Sequence, residues 1–211
     1  MHNEKVEKRS AFFIFLSIIA KAFEKLFFNI KIQGLNTLPL GQKAILCPNH
    51  TSNIDSIVLM IRCNRNIYFL AKKELFKTKF TSWFFTKLNI ICVDRQGSDA
   101  AAIKKALRVL RDDKLLGIYP EGTTRKGGRE LIEPKAGALM IALAAKAPII
   151  PVAIYGKYKF RGKVLIKAGE PIYFNEYYGQ KYKTEELVQI TQDKVMSKIK
   201  SMLDEAKGEI N

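Results

Sequence analysis

From residue 30 onward the chain alternates between short apolar, β-branched runs and helical patterns, and this alternation restricts it to very few architectures. The runs are Ala44–Cys47, Ile67–Leu70, Ile90–Val93, Leu115–Tyr119, Ile149–Ile154 and Val164–Ile166. Between most of them the apolar period changes from two to about 3.6. Ile103, Ala106, Leu107 and Leu110 recur at i, i+3, i+4 and i+7, with Ser98 placed to cap that helix. Phe76, Phe80, Trp83 and Phe84 make a second such stripe, and Pro134 opens the small-residue segment AGALMIALAAK, which can pack closely on a sheet. A last helix is predicted from about Thr184 to Ala206, with Val188, Val195, Ile199 and Met202 on one side. Parallel strands need a crossover of helical length, so the pattern predicts an α/β fold with a largely parallel sheet flanked by helices. The chain's 211 residues suffice for one such domain and show neither an internal repeat nor a linker.

The segment ahead of the alternation is different. Ala11 to Ala20 is apolar but spans only about 15 Å as a helix, half a hydrocarbon core. No small-residue cleavage site follows it, so it does not read as a signal peptide. On a helical wheel Ser10, Ser17, Lys21, Glu24 and Lys25 share one narrow face, while Phe12, Phe13, Phe15, Leu16, Ile19, Phe23, Phe27 and Phe28 cover much of the rest. Residues 1–30 are therefore expected to be an amphipathic, membrane-associating segment, and residues 31–211 the α/β domain. Lys5, Lys8, Arg9 and Lys31 would suit anionic headgroups. The alternative is a helix buried against the domain.

Charge narrows the partners without choosing among them. With 36 Lys and Arg against 20 Asp and Glu the net charge is +16, which favours an anionic membrane, nucleic acid or a phosphorylated substrate. Three widely spaced cysteines, Cys47, Cys63 and Cys92, argue for free thiols in a reducing interior. Only two histidines exist, His2 and His50, so no histidine-rich metal site can form and no metal is expected.

In open parallel sheets, sites form beyond the carboxyl ends of strands. The first run ends in CPNHTSNID, with His50 at the strand end and Asp55 five residues on. Positions five apart do not share a helical face, but Ser52–Asn53–Ile54–Asp55 fits a capping box. His50 would then lie in the loop ahead of the helix and fold back over its first turn. Asp55 could accept from one ring nitrogen and leave the other as a base, an orienting pair without a nucleophilic serine. A lone pair of this kind is more often a cap beside a solvent-exposed histidine. Asp94–Arg95 ends another run, Lys72 and Lys73 follow a third, and Glu121–Gly122–Thr123 form a turn after Pro120. Arg125, Lys126, Gly127, Gly128 and Arg129 then make a basic, glycine-rich loop, a plausible anion cradle that is not a Walker sequence.

These blocks together resemble the glycerolipid acyltransferases, in particular the bacterial 1-acyl-glycerol-3-phosphate acyltransferases. The resemblance rests on Asn49-His50-x-x-x-x-Asp55, on Lys73 with Val93-Asp94-Arg95, on Tyr119-Pro120-Glu121-Gly122-Thr123, and on Ala147-Pro148-Ile149-Ile150-Pro151-Val152. Two positions depart from the family's pattern: Thr124 separates Arg125 from the P-E-G-T block, and Asn89 replaces a glycine in a turn. The resemblance implies transfer of a fatty acyl group from acyl-CoA or acyl carrier protein to the sn-2 hydroxyl of a lysophospholipid acceptor, 1-acyl-glycerol-3-phosphate, giving phosphatidic acid, or else to another lysolipid or glycerol-3-phosphate. His50 would act as general base and Asp55 would orient it. Lys73, Arg95, Glu121, Gly122, Thr123 and Arg125 would bind the glycerol phosphate, and Pro148–Val152 would line the acyl pocket. No cofactor beyond the acyl co-substrate is implied. The expected location is peripheral, on the cytoplasmic face of the cell membrane.

Two rival readings come from other classes. The stretch KYKFRGKVLIK, Lys157–Lys167, interleaves Tyr158 and Phe160 with basic residues as a nucleic-acid stacking groove might. It explains neither His50–Asp55 nor the apolar N-terminus, so no nucleic-acid partner is expected. A hydrolase that uses His50 to activate water would instead release free fatty acid.

Overall fold

The computed structural model describes residues 9–36, 38, 41–93, 99–124 and 131–210. Seven strands form one sheet in the order β1-β7-β6-β2-β5-β3-β4. They are β1 Phe28–Gln33, β2 Ala44–Pro48, β3 Ile67–Lys72, β4 Ile90–Val93, β5 Leu115–Gly117, β6 Ile149–Gly156 and β7 Gly162–Ala168. The helices are α1 Ala11–Phe27, α2 Ile54–Arg62, α3 Lys79–Lys87, α4 Asp99–Arg111, α5 Gly137–Ala145, α6 Thr184–Thr191 and α7 Ser197–Ile210. The strands β6, β2, β5, β3 and β4 run parallel; β7 is antiparallel to β6, and β1 pairs parallel to β7.

Side chains alternate across β2, and both faces are buried, as a helix-covered parallel sheet requires. Leu46 points into one core with Val58 and Leu59 of α2 and Ile150 and Val152 of β6. Ile45 and Cys47 point into the other with Ala106 and Leu110 of α4, Leu139 and Ala142 of α5, and Ile199 of α7. The last helical run carries a π turn, Gln192–Met196, between α6 and α7. A π turn adds a residue to the helical phase, and here both Val195 and Met196 are buried.

Three local features differ from the sequence reading. The N-terminal helix ends at Phe27, and Phe28 opens β1, an edge strand that no apolar run announced because its burial is only partial. β5 stops at Gly117 rather than Tyr119, which frees Tyr119 to leave the sheet. A Cβ at Gly117 would lie 2.3 Å from Cε1 of Phe69, so only glycine admits that ring. Asn89, in the family's glycine position, has φ 59°, the left-handed conformation that asparagine tolerates better than most residues.

The face that α1 presents is the reverse of a soluble amphipathic helix. Phe13, Ser17 and Glu24 are the buried residues, whereas Phe15, Ile18 and Leu26 are 61%, 62% and 67% exposed. Glu24 accepts from Arg62 of α2 through Nε at 2.9 and 3.0 Å, and that carboxylate's hydrogen bond is the main reason the guanidinium pKa is raised. Arg9 donates to the carbonyls of Cys63 and Arg65 at 2.6 and 3.1 Å. Thus Ser17 and Glu24 of the expected polar face turn to the domain together with Phe13, while Ser10, Lys21 and Lys25 stay exposed and much of the apolar face is left outside. Among the described residues, no helix is long and apolar enough to cross a membrane. The three cysteines are free.

Candidate active site

The carboxyl ends of β2, β5, β3 and β4 are neighbours along one sheet edge, and the predicted residues follow those ends. At β2 the ladder is prolonged by a side chain. Asn49, fully buried, donates through Nδ2 to the Ile154 carbonyl at 3.0 Å and accepts from its N–H at 2.6 Å. This locks the chain just before His50 leaves the sheet.

His50 folds back as expected, with Nδ1 3.1 Å from Oδ2 of Asp55. The carboxylate only accepts, so Nδ1 carries the proton and Nε2 holds the lone pair. Among the described residues Nε2 has no hydrogen-bond partner, and the imidazole side chain keeps 12% exposure while Asp55 has none. Asp55 is fixed on every side: it accepts from the N–H groups of Thr51 and Ser52 at 2.7 Å each and from the Thr51 hydroxyl at 3.0 Å. The capping box is therefore half-formed. Asp55 reaches back to the Ser52 N–H, but the Ser52 hydroxyl accepts from Ile54 N–H at 3.2 Å instead of from Asp55.

The P-E-G-T turn approaches from β5. The Glu121 carboxylate accepts the His50 N–H at 2.9 Å and the Ile132 N–H at 3.1 Å, and the residue is 1% exposed. A side chain so enclosed ties two loops together and presents little surface to a substrate. Gly122 has φ 67°, the left-handed conformation that favours glycine, and the end of the Lys135 side chain lies over it. Thr123 is exposed at its tip, and Lys73 is exposed in a 3₁₀ turn, Lys73–Phe76, directly after β3. Asp94, Arg95 and Arg125, with Lys126 to Arg129 and Ser98, lie outside the described residues, as does the Lys72 side chain.

Tyr119, which no spacing argument singled out, stacks on the imidazole with centroids 3.8 Å apart and planes 21° apart. Its hydroxyl meets Oγ of Ser56 at 2.6 Å, and Phe69 stacks on it at 5.6 Å and 15°. Burial pushes the phenols of Tyr119 and Tyr158 well above the tyrosine range, and the Asp55 carboxylate adds to the effect at both. Both therefore stay neutral. In the sequence Tyr119 was visible as an aromatic residue at a strand's end and as the first residue of the Tyr119-Pro120-Glu121-Gly122-Thr123 block, with nothing to pair it with His50.

The arrangement suits proton abstraction better than covalent attack. The serine and threonine hydroxyls nearest the pair are already engaged: Thr51 with Asp55, Ser56 with Tyr119 and Ser52 with the α2 backbone. Cys47 is enclosed, and burial raises its thiol far from the thiolate form. In the 157–167 stretch Phe160 is 68% exposed. Tyr158 packs edge-on against Phe28 at 5.6 Å, and Lys167 pairs with Glu205 of α7.

Known proteins place this site in a family. A family model described as Acyltransferase matches residues 29–155, from β1 through most of β6. The 1-acyl-sn-glycerol-3-phosphate acyltransferase of Bacillus subtilis (strain 168) is 31% identical over 150 residues, covering 68% of this chain and 74% of that protein. The protein of the same name from Borreliella burgdorferi is 27% identical over 182 residues, covering 82% and 72%. In fold, the crystal structure of the 1-acyl-sn-glycerophosphate (LPA) acyltransferase from Thermotoga maritima matches with a TM-score of 0.67 at 24% identity, over 91% of this chain and 87% of that one. With β2 to β5, its His50–Asp55 loop and its P-E-G-T turn inside the matched span, this chain belongs to the acyltransferase family.

Proposed function

We propose that the protein transfers a fatty acyl group from a thioester donor, acyl-CoA or acyl carrier protein, to the sn-2 hydroxyl of 1-acyl-glycerol-3-phosphate, giving phosphatidic acid. The observation that carries the reading is the His50–Asp55 pair, with one ring nitrogen held by a fully buried carboxylate and the other left to act. Nε2 takes the hydroxyl proton as the oxygen attacks the thioester carbonyl. The new C–O bond forms, the C–S bond breaks, and the proton passes from the imidazolium to the departing thiolate. Asp55 holds the tautomer and faces the transient charge. The names borne by the bacterial relatives support the phosphorylated acceptor.

Lysophosphatidic acid supplied with acyl-CoA and, separately, with acyl carrier protein tests the reading, the products being weighed by mass spectrometry. A diacyl product is expected with at least one donor. Free fatty acid alone would favour the hydrolase.

Lys73, Arg95, Thr123 and Arg125 are assigned to the acceptor's phosphate, with Gly122 allowing close backbone approach. Arg95 comes two residues past β4, and Arg125 follows the P-E-G-T turn. Arg95→Ala and Arg125→Ala should each raise the KM for the acceptor by roughly ten- to a hundred-fold, the worth of a charge-assisted contact, and leave the donor's KM near its parent value. Steady-state kinetics at fixed donor reads this, and unchanged acceptor KM in both variants contradicts the assignment. Glu121 is better assigned to holding the His50 loop than to touching the substrate.

We also infer peripheral attachment of this enzyme to the cytoplasmic surface of an anionic membrane through α1. The exposed apolar face continues onto α3, where Trp83 lies 5.0 Å from Phe12 and Phe80 is 69% exposed. Lys21, Lys25, Lys77, Lys79 and Lys87 surround that surface. Arg9 and Lys31, expected at headgroups, are instead tied to carbonyls and to Glu209. Deleting residues 1–28 would strip Phe13 and Glu24 from the domain, so it tests folding as much as binding. Replacing Phe15, Ile18 and Leu26 with serine should leave thermal unfolding unchanged yet weaken binding to anionic vesicles by about 3 kcal/mol, or roughly a hundred-fold. Undiminished vesicle binding would move the contact elsewhere.

A further inference from the structure

We propose that Tyr119 is a positioning residue for acyl transfer: its ring face fixes the plane of the His50 imidazole and stabilises the positive charge the imidazole acquires with the acceptor's proton. The inference rests on the reading of His50 as the base.

The geometry is built rather than incidental. A contact at 3.8 Å and 21° is a full face-to-face stack of two small rings. Neutral aromatic pairs prefer offset or edge-on packing, so such a stack gains most when one ring carries charge. Tyr119 is held from two other directions. Phe69 lies behind it and is itself admitted by Gly117, where a side chain would collide with that ring. The Ser56 hydroxyl holds the phenol edge from α2, the helix that also carries Asp55. The imidazole thus meets a carboxylate at Nδ1 and an aromatic face across its plane.

The other titratable groups around His50, among the described residues, are Asp55 at the start of α2, Glu121 on its backbone N–H, and Tyr158 near Asp55 from the β6–β7 turn. Lys135 lies over Gly122. A change confined to the electron density of the ring at position 119 leaves all of these in place, so the ring's share can be read separately.

Replacing His2 with glutamine leaves His50 as the single histidine, and its protonation can then be followed by NMR of isotope-labelled imidazole in the full chain. Into this background go Tyr119→Phe and phenylalanines carrying one, two and three fluorines at position 119. These are nearly isosteric but have progressively less negative faces. The midpoint of imidazole protonation should fall stepwise along the series, by roughly half a pH unit or more in total. The acid limb of kcat/KM should move with it, kcat should fall about three-fold, a half-unit change expressed as a ratio, and the acceptor's KM should hold. A midpoint that ignores fluorination overturns the proposal. So does a Ser56→Ala variant that shifts it as far as three fluorines do, because the hydroxyl tether would then be responsible. A midpoint that follows the series while the acid limb stays fixed upholds the ring's effect and overturns the assignment of His50 as base.

Discussion

His50→Ala should lose acyl transfer by about 10²–10⁴-fold or more, the usual worth of general-base assistance, while its thermal unfolding stays close to that of the parent. Only His2 could offer another imidazole. The loop around the vacated position does not depend on the ring. Asn49 anchors it through Ile154, Glu121 holds the backbone N–H of residue 50, and Asp55 keeps its three donors from Thr51 and Ser52. Rate and unfolding measured on one preparation check both halves of this expectation.

Asp55 should behave differently, because its carboxylate supports structure as well as orienting the base. Asp55→Ala leaves two N–H groups and a hydroxyl of the half-buried Thr51 and Ser52 without their acceptor. At about 1–3 kcal/mol for each buried donor left unsatisfied, the loss should be on the order of 3 kcal/mol, a fall in Tm of roughly 6–12 °C. Asp55→Asn separates the two roles. The oxygen that faces His50 also takes both backbone N–H groups, so the amide keeps its carbonyl oxygen there and retains those bonds, while the negative charge opposite the imidazolium is lost. Transfer should drop by about 10²–10⁴-fold while much of the stability is retained. Calorimetry and initial rates on the pair of variants check this, and an Asp55→Asn enzyme with parental rate would leave the carboxylate a structural role alone.

Much of this was legible in the sequence for simple reasons. Parallel strands buried on both faces appear as continuous apolar runs, so β2, β3, β4 and β6 could be located within a few residues. His50 and Asp55 could be paired because a helix start between them leaves only a fold-back geometry. What could not be read depends on contacts between distant segments. β1 is a half-exposed edge strand held by β7, more than a hundred residues away. Glu121 was flagged, but its inward turn depends on where the His50 and Ile132 N–H groups arrive. The stack on Tyr119 needs Phe69 and Gly117 from two neighbouring strands. For α1, the wheel put Ser17 and Glu24 together, and they turn inward, but it set Phe13 on the other side, and Phe13 turns inward with them. Which face turned inward was decided by Arg62 on α2, the partner of Glu24, and a wheel carries no information about that.

In the proposed reaction His50 activates a lipid hydroxyl and not water. This is tested most directly by following thiol release and lipid products together, in the parent and in His50→Ala, with lysophosphatidic acid and a thioester donor. The parent should release one thiol for each phosphatidic acid formed, without free fatty acid, and His50→Ala should form neither product at a comparable rate. Thiol released with fatty acid in place of diacyl lipid, or a His50→Ala protein that still makes phosphatidic acid at the parental rate, would contradict the account.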